Sequence, residues 1–338
     1  MDDESDELTV AVTGPTGTFG FGLMPLLQAD PRVGRVIGIA RRPFDPAARG
    51  WTKMEYRQGD VRDADALHAA FDGADVVVHL AFLVVGGKRE VTRAINVEGT
   101  LNAFRAAVAA GADRFVYPSS VAAYGFHGDN PVGMDEDWPT RPAARLFYAQ
   151  EKAELEQLLR EESAKHPGID LYLLRPSIVV GPHAVGAKAQ LPAFLSVLGR
   201  GVVAGLGRVP LPLPAPVPDL PLQLVHEEDV GQALLRCVVA AGPPGAYNIA
   251  GDGVLSVTDM ARELGLTPVP LPAGPTRAAA RLVARLPGLP AVAEWVEAAG
   301  HPAIMDTTRA REELGWEPRY TGLEALRDTL ARPAVDER

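Results

Sequence analysis

Cysteine is almost missing: Cys237 is the single thiol among 338 residues. No internal disulfide is available, which excludes a disulfide-stapled secreted scaffold and fits a reducing cytoplasm. Cys237 lies in the apolar run Ala233 to Ala241, so it reads as buried filler rather than a nucleophile. Long apolar runs are missing too. The most apolar stretch, Val76 to Val85, is too short to span a bilayer and contains His79, so no membrane partner is expected. No signal peptide is read at the start of the chain. Positive charge is in deficit: Lys and Arg number 33 against 43 Asp and Glu, a formal net charge of -10. Such a surface repels a polyanion, and nucleic acid is not an expected partner. The 7 histidines show no metal-site spacing, so no metal is expected. No internal repeat is present.

What the chain does contain is alternation. Leu8 to Thr13 reads as a buried parallel strand, Phe21 to Ala29 as a helix, and Arg35 to Ala40 as a second strand. Met54 to Gln58 (strand), Asp63 to Phe71 (helix), Asp75 to Leu80 (strand), Val91 to Ala110 (helix) and Arg114 to Pro118 (strand) follow. Phe147 to Ser163 reads as helix and Asp170 to Leu174 as strand. This order predicts an α/β fold, a parallel sheet with helices on both faces. Residues 1–7 read as an acidic solvated tail, 8–176 as the main sheet domain, and about 222–250 as its completion, with Leu222 to His226 returning to the sheet. Residues 177–221 and 251–330 make a smaller lobe, and 331–338 a tail. Within that lobe, 201–222 is dense in proline, valine and leucine, which suits an ordered apolar lid. Helices are expected over Glu227 to Ala240, Val257 to Leu264 and Ala278 to Ala299.

Strand, glycine loop and helix together point to a dinucleotide. Gly14 permits the tight turn, Gly17 lets backbone approach a pyrophosphate, and Gly20 allows close packing of helix on strand. The helix N-terminus adds amide donors and partial positive charge. At the end of the second strand an acid would hold the ribose 2′-hydroxyl of NAD. Ala40 stands there instead, followed by Arg41 and Arg42, whose guanidinium groups suit a phosphate dianion. NADP(H) is therefore favoured over NAD(H). Asp60, ending the third strand, is a candidate acceptor for the adenine amino group or a cap of the next turn.

Tyr148 and Lys152 lie one helical turn apart. A tyrosine alone is a poor acid at neutral pH, with a reference pKa near ~10. An ammonium on the same face favours the phenolate, so the pair is a candidate proton-transfer site beside a hydride carrier.

In chain order the motifs are Thr13-Gly14-x-x-Gly17-x-x-Gly20, Asp60-Val61, His79-Leu80-Ala81, Asn96-Val97-x-Gly99-Thr100, Ser119-Ser120-x-x-x-Tyr124-Gly125, Tyr148-x-x-x-Lys152, Arg175-Pro176, Gly181-Pro182, Val225-His226-x-x-Asp229-Val230 and Leu314-Gly315-Trp316. On these motifs the chain resembles the extended short-chain dehydrogenase/reductases, the NAD-dependent epimerase/dehydratase family. The resemblance implies a Rossmann-type doubly wound parallel sheet with a smaller C-terminal substrate-binding lobe. It implies Tyr148 as general acid/base, Lys152 as the residue that lowers its pKa and holds the nicotinamide ribose, and Ser120 as the donor that polarises the carbonyl. Ser119 competes with Ser120. Cofactor contacts are implied for Gly14, Thr16, Gly17, Thr18, Phe19, Gly20, Arg41, Arg42, Asp60, Val61, Leu80, Ala81, Tyr148, Lys152 and Pro176. Substrate contacts are implied for Phe82, Tyr124 and Ile178. Asn96 would brace the helix beside the cofactor, while His79, His183 and His226 read as structural. A homodimer through the Val91–Ala110 and Phe147–Ser163 helices is implied as well.

Family members act either on nucleotide sugars or on less polar alcohols. A diphosphate calls for an amide and arginines; the resemblance implies an asparagine at the position of Ile178 and arginines near Leu222 and near Trp295 to Val296, and none is found there. Burying phosphate against Ile178 and Leu222 would leave charge unpaired. The expected substrate is an apolar ketone or secondary alcohol, although Lys188, Arg200 or Arg208 could serve a phosphate from another side. The alternatives are a nucleotide-sugar 4-epimerase or dehydratase with retained NAD, and a non-catalytic NADP sensor.

Overall fold

The computed structural model describes residues 7–84, 89–144, 146–184, 214–271 and 300–331. Its strands are β1 (Leu8–Thr13), β2 (Val33–Ala40), β3 (Met54–Gln58), β4 (Val76–His79), β5 (Arg114–Pro118), β6 (Asp170–Pro176), β7 (Ile178–Val180), β8 (Pro214–Pro218), β9 (Pro221–Leu222), β10 (Leu224–His226), β11 (Gly245–Ile249), β12 (Leu255–Ser256) and β13 (Thr267–Leu271). The helices are α1 (Thr18–Ala29), α2 (Ala64–Phe71), α3 (Arg89–Arg93), α4 (Gly99–Ala110), α5 (Phe147–Lys165), α6 (Glu227–Val238), α7 (Val257–Glu263), α8 (Thr308–Leu314) and α9 (Gly322–Ala331).

Side chains alternate across a strand, and β1 shows what that does here. Val10 and Val12 join one core with Leu23, Leu27 and Leu234, while Ala11 joins the opposite core with Phe104, Phe115 and Leu155. The sheet is thus buried on both faces, as its uninterrupted apolar strands require. Its order is β11-β6-β5-β4-β1-β2-β3, a 7-stranded sheet with every neighbour parallel. This is the expected doubly wound, Rossmann-type architecture. After β3 the chain crosses back to lay β4 beside β1, so a crevice opens at the carboxyl ends of these two strands. The Thr13–His79 register pair marks it.

Two expectations change. The Val91–Ala110 helix is interrupted: α3 passes into a π-helical turn over Ala94–Glu98 before α4 begins. The extra residue per turn brings Asn96 inward, and such turns are frequent at functional sites. Leu222 to His226 does not rejoin the main sheet. β10 pairs only with β7, because β11 occupies the edge beside β6 as far as Pro176. Of the proline-rich segment, β8 is an edge strand paired with β13, which is where prolines fit in a sheet. The lid residues 201–213, the Ala278–Ala299 helix, Lys188, Arg200, Arg208, Trp295 to Val296 and most of both tails lie outside the described residues. Among the described residues no helix is long and apolar enough to cross a membrane.

Candidate active site

The crevice begins with the loop after β1. Gly14 has φ +70, and a Cβ there would lie 2.9 Å from the Ala81 amide nitrogen. Only glycine meets both demands. A Cβ on Gly20 would collide with the Pro15 carbonyl, so this residue lets α1 lie against its own loop. Gly17 is the N-cap of α1 and has no side chain to accept from the first-turn amides. Those donors, with the helix dipole, suit a phosphate, so the loop fits a dinucleotide on its own geometry. Thr18 Oγ1 donates to the His183 carbonyl at 3.0 Å, and Phe19 packs on the core. Thr16 is half-buried beside them.

His79 fastens this loop to its neighbours. Its Nδ1 lies 2.8 Å from Thr13 Oγ1 and its Nε2 3.0 Å from Thr100 Oγ1. Thr100 donates its own proton to the Asn96 carbonyl, so Nε2 is the donor and carries the imidazole proton. Thr13 then donates to Nδ1 and accepts from the Ala81 amide. Burial and, second, the Lys152 charge push the His79 pKa down to about 3. The structural reading of this histidine thus fits the geometry. So does that of His183, bonded to Glu227 at 2.7 Å, and of His226, which caps α6.

At the end of β2, Arg41 and Arg42 are exposed. The backbone that carries them is held from β3: Tyr56 donates to the carbonyls of Ala40 and Arg42, and Gln58 to that of Arg41. Asp60 has both oxygens taken by Arg62, at 3.0 and 2.7 Å, and this bond is the main cause of its lowered pKa. Val61 is buried against Gly99.

β5 delivers the serines. Ser119 is buried and faces Glu156, whereas Ser120 faces the Tyr148 phenol. Ser120 Oγ also accepts from the Ala122 amide at 3.1 Å, which caps the short 3-10 turn over Val121–Tyr124 and fixes the hydroxyl. Lys152 is 3 % exposed; its Nζ donates to Tyr117 Oη at 3.0 Å and to the Pro118 carbonyl at 2.7 Å. The Phe82 ring touches both Lys152 and Tyr148, its centroid 3.7 Å from Nζ and 5.7 Å from the Tyr148 ring, edge-on to it.

The expected acidification of Tyr148 is not what the contacts give. Burial raises its pKa, and Ser120 alone pulls the other way. Lys152 Nζ is 6.0 Å from the Tyr148 ring centroid because its stem folds back onto β5. Burial pushes Lys152 itself down to about 7, against the upward pull of Glu156 and then Glu151.

Two expected substrate residues have partners of their own. Tyr124 is 0 % exposed, and its hydroxyl accepts from Arg175 at 2.6 Å while lying 2.8 Å from Asn248 Oδ1. A hydroxyl so engaged braces the site from behind. Ile178 is half-buried against Val180, Leu224 and Met260. Pro176 is buried at the end of β6.

A model of the family described as "NAD dependent epimerase/dehydratase family" matches residues 10–250. The chain belongs to that family. Among curated relatives of this epimerase/dehydratase member is "Uncharacterized protein Rv0501" of Mycobacterium tuberculosis, 29% identical over 94% of this chain and 82% of that one. "Sterol demethylase protein B" of Methylococcus capsulatus is 33% identical over 52% of each chain. The solved UDP-glucose 4-epimerase of Thermotoga maritima, bound to UDP-glucose, superposes with TM-score 0.71 at 20% identity, covering 96% of this chain and 98% of that one. At that identity the likeness concerns the fold.

This family member also uses residues that the sequence reading passes over. Glu156, at 0 % exposure, takes a bidentate Arg175 at 2.9 and 2.7 Å, tying α5 to β6. Its signal was present: Tyr148, Lys152 and Glu156 recur every four residues on one helix face. Glu151, Gln58, Tyr56 and Arg62 carry no comparable periodicity.

Proposed function

We propose that this protein is an NAD(P)-dependent oxidoreductase acting on a ketone or secondary alcohol of apolar character, with Tyr148 as general acid/base. The observation that carries the reading is that Tyr148 faces Ser120 beside a buried Lys152, at the carboxyl edge of the sheet next to the glycine loop. When bound, the nicotinamide supplies or accepts the hydride. Gly14, Thr16, Gly17, Thr18, Phe19 and Gly20 would hold the pyrophosphate end, Leu80, Ala81, Pro176 and Lys152 the nicotinamide end. Asp60 and Val61 would flank the adenine. Ser120 donates to the substrate oxygen and polarises the carbonyl. In the reducing direction Tyr148 passes its proton to that oxygen as hydride reaches the carbon; in oxidation it takes the proton back.

Exposed Arg41 and Arg42, with no acid at Ala40, support NADP(H) over NAD(H). The apolar packing of Ile178 and Leu222 supports an uncharged substrate, as does similarity to a protein named for sterol demethylation. The family name keeps a second reading alongside: a nucleotide-sugar epimerase or dehydratase with retained NAD. The homodimer is inferred through α4 and α5, whose Leu101, Val108 and Leu158 are only half-buried. Purified protein incubated with NADPH and a panel of ketones tests the reading; turnover of ketones with exchangeable NADPH supports it. Turnover of UDP-sugars with cofactor retained through purification favours the second.

A further inference from the structure

A buried acid next to the catalytic pair has no part in the scheme above. Glu151 is 1 % exposed, one residue before Lys152. Its Oε2 accepts from Asn96 Nδ2 at 2.7 Å, and its Oε1 has no hydrogen-bond partner among the described residues. Asn96 stands in the π-helical turn, and its amide makes two further bonds to a single loop residue. Nδ2 donates to the Leu83 carbonyl at 3.0 Å, and Oδ1 accepts from the Leu83 amide at 2.8 Å. Leu83 follows Phe82, whose ring sits over Lys152 Nζ. The contacts close a ring: Glu151, Asn96, Leu83, Phe82, Lys152, and back along α5. Both ends of the Leu80–Leu83 loop are thereby fixed, since Leu80 and Ala81 already donate to Thr13.

We propose that Glu151 is a positioning residue: through Asn96 it holds the loop that seats Phe82 on Lys152, and it sets a carboxylate beside the lysine that serves the nicotinamide half of the cofactor. The inference rests on the cofactor reading above. The groups facing Lys152 are Tyr117 from β5, His79 from β4, and Tyr148, Glu151 and Glu156 from its own helix. Those facing Glu151 are Asn96 from the π-helical turn, Arg93 from α3, Tyr117 from β5, and Lys152 and Glu154 from α5. Burial raises the Glu151 pKa, and Glu151 is one of two acids that raise that of Lys152.

The test measures NADPH affinity by nicotinamide fluorescence across pH, in the full chain and in Glu151→Gln and Glu151→Ala. Unsubstituted protein should bind with an affinity that weakens as Lys152 loses its proton. Glu151→Gln keeps an oxygen for Asn96 and removes the charge. Its low-pH affinity should stay within about twofold, while the weakening moves to lower pH. Glu151→Ala should also bind about tenfold more weakly at every pH, as loss of one charge-assisted hydrogen bond implies. If Glu151→Ala does not fold, the Glu151→Gln midpoint decides. Variants that melt earlier yet keep the unsubstituted affinity and midpoint would reduce Glu151 to a structural residue and overturn the inference alone. Failure of the unsubstituted protein to bind NADPH or NADH would remove the cofactor reading and the inference with it.

Discussion

Tyr148 carries the proposed chemistry through one oxygen, so its removal is the sharpest single-residue test. Tyr148→Phe keeps the ring against Phe82 and deletes the hydroxyl that meets Ser120. Loss of a general acid predicts a fall in kcat/KM of roughly 10²–10⁴-fold with NADPH affinity retained, read by steady-state kinetics and fluorescence titration. His79 offers a test through pH. Its folded pKa is about 3 against an ordinary 6.5, because the imidazole is buried between two threonines. The unfolded chain therefore binds the proton first. Its stabilising contribution is complete above about pH 6.5 and is lost as pH falls toward 3, a change on the order of a few kcal/mol. Melting temperatures between pH 4 and 7 should drop with acid, and His79→Gln should flatten that slope. An equal slope in the variant would assign the acid sensitivity to another group.

Helix and strand contacts set the distances that those residues need. α1 and α6 cross at two glycines: a Cβ on Gly231 would collide with the Gly22 carbonyl, and one on Gly22 with the Glu227 carbonyl. Backbone cannot rotate aside as a side chain can, so Gly231→Ala should cost about 1–3 kcal/mol in urea unfolding. An unchanged midpoint would mean that the crossing can widen. The Glu156–Arg175 pair joins α5 to β6 at 0 % and 2 % exposure. Arg175→Ala leaves the buried Glu156 carboxylate with only the half-exposed Arg160 as an ion-pair partner among the described residues and should destabilise by about 3 kcal/mol, while the double replacement Glu156→Leu/Arg175→Met should recover most of that. At this scale the sequence is legible wherever periodicity is clean. β1, β3 and β5 have the expected bounds, since each is a short apolar or alternating run between turn residues. β11 is hidden because Asn248 interrupts it; that side chain is buried, donating to the Met134 and Asp306 carbonyls. The π-helical turn is hidden as well, since Asn96 alone does not distinguish it from a regular helix. The Tyr148–Lys152 pair is readable as a candidate from spacing, and Ser120 from the family resemblance. Glu151 could not, because an isolated acid on a helix reads as a solvated face.

The whole molecule places the glycine loop, the serine and the tyrosine–lysine pair around the crevice where the strand order reverses. The family and the Rossmann-type sheet follow from the matched model and the observed topology. The substrate reading depends on Ile178 and Leu222, which are apolar and pack against one core cluster. Cofactor choice belongs to this scale too, because the Arg41–Arg42 turn is set by β2 and β3 together. Replacing both arginines by alanine should weaken NADPH binding by about 10–100-fold and leave NADH within a few fold, as the loss of charge-assisted phosphate contacts implies. Parallel titrations with the two nucleotides check it. The most direct measurement of the central claim follows NADPH oxidation by the full chain and by Tyr148→Phe, against a ketone the full chain turns over. The account predicts that oxidation coupled to alcohol formation all but disappears in Tyr148→Phe while the nucleotide still binds. Oxidation at the unsubstituted rate in Tyr148→Phe would contradict it.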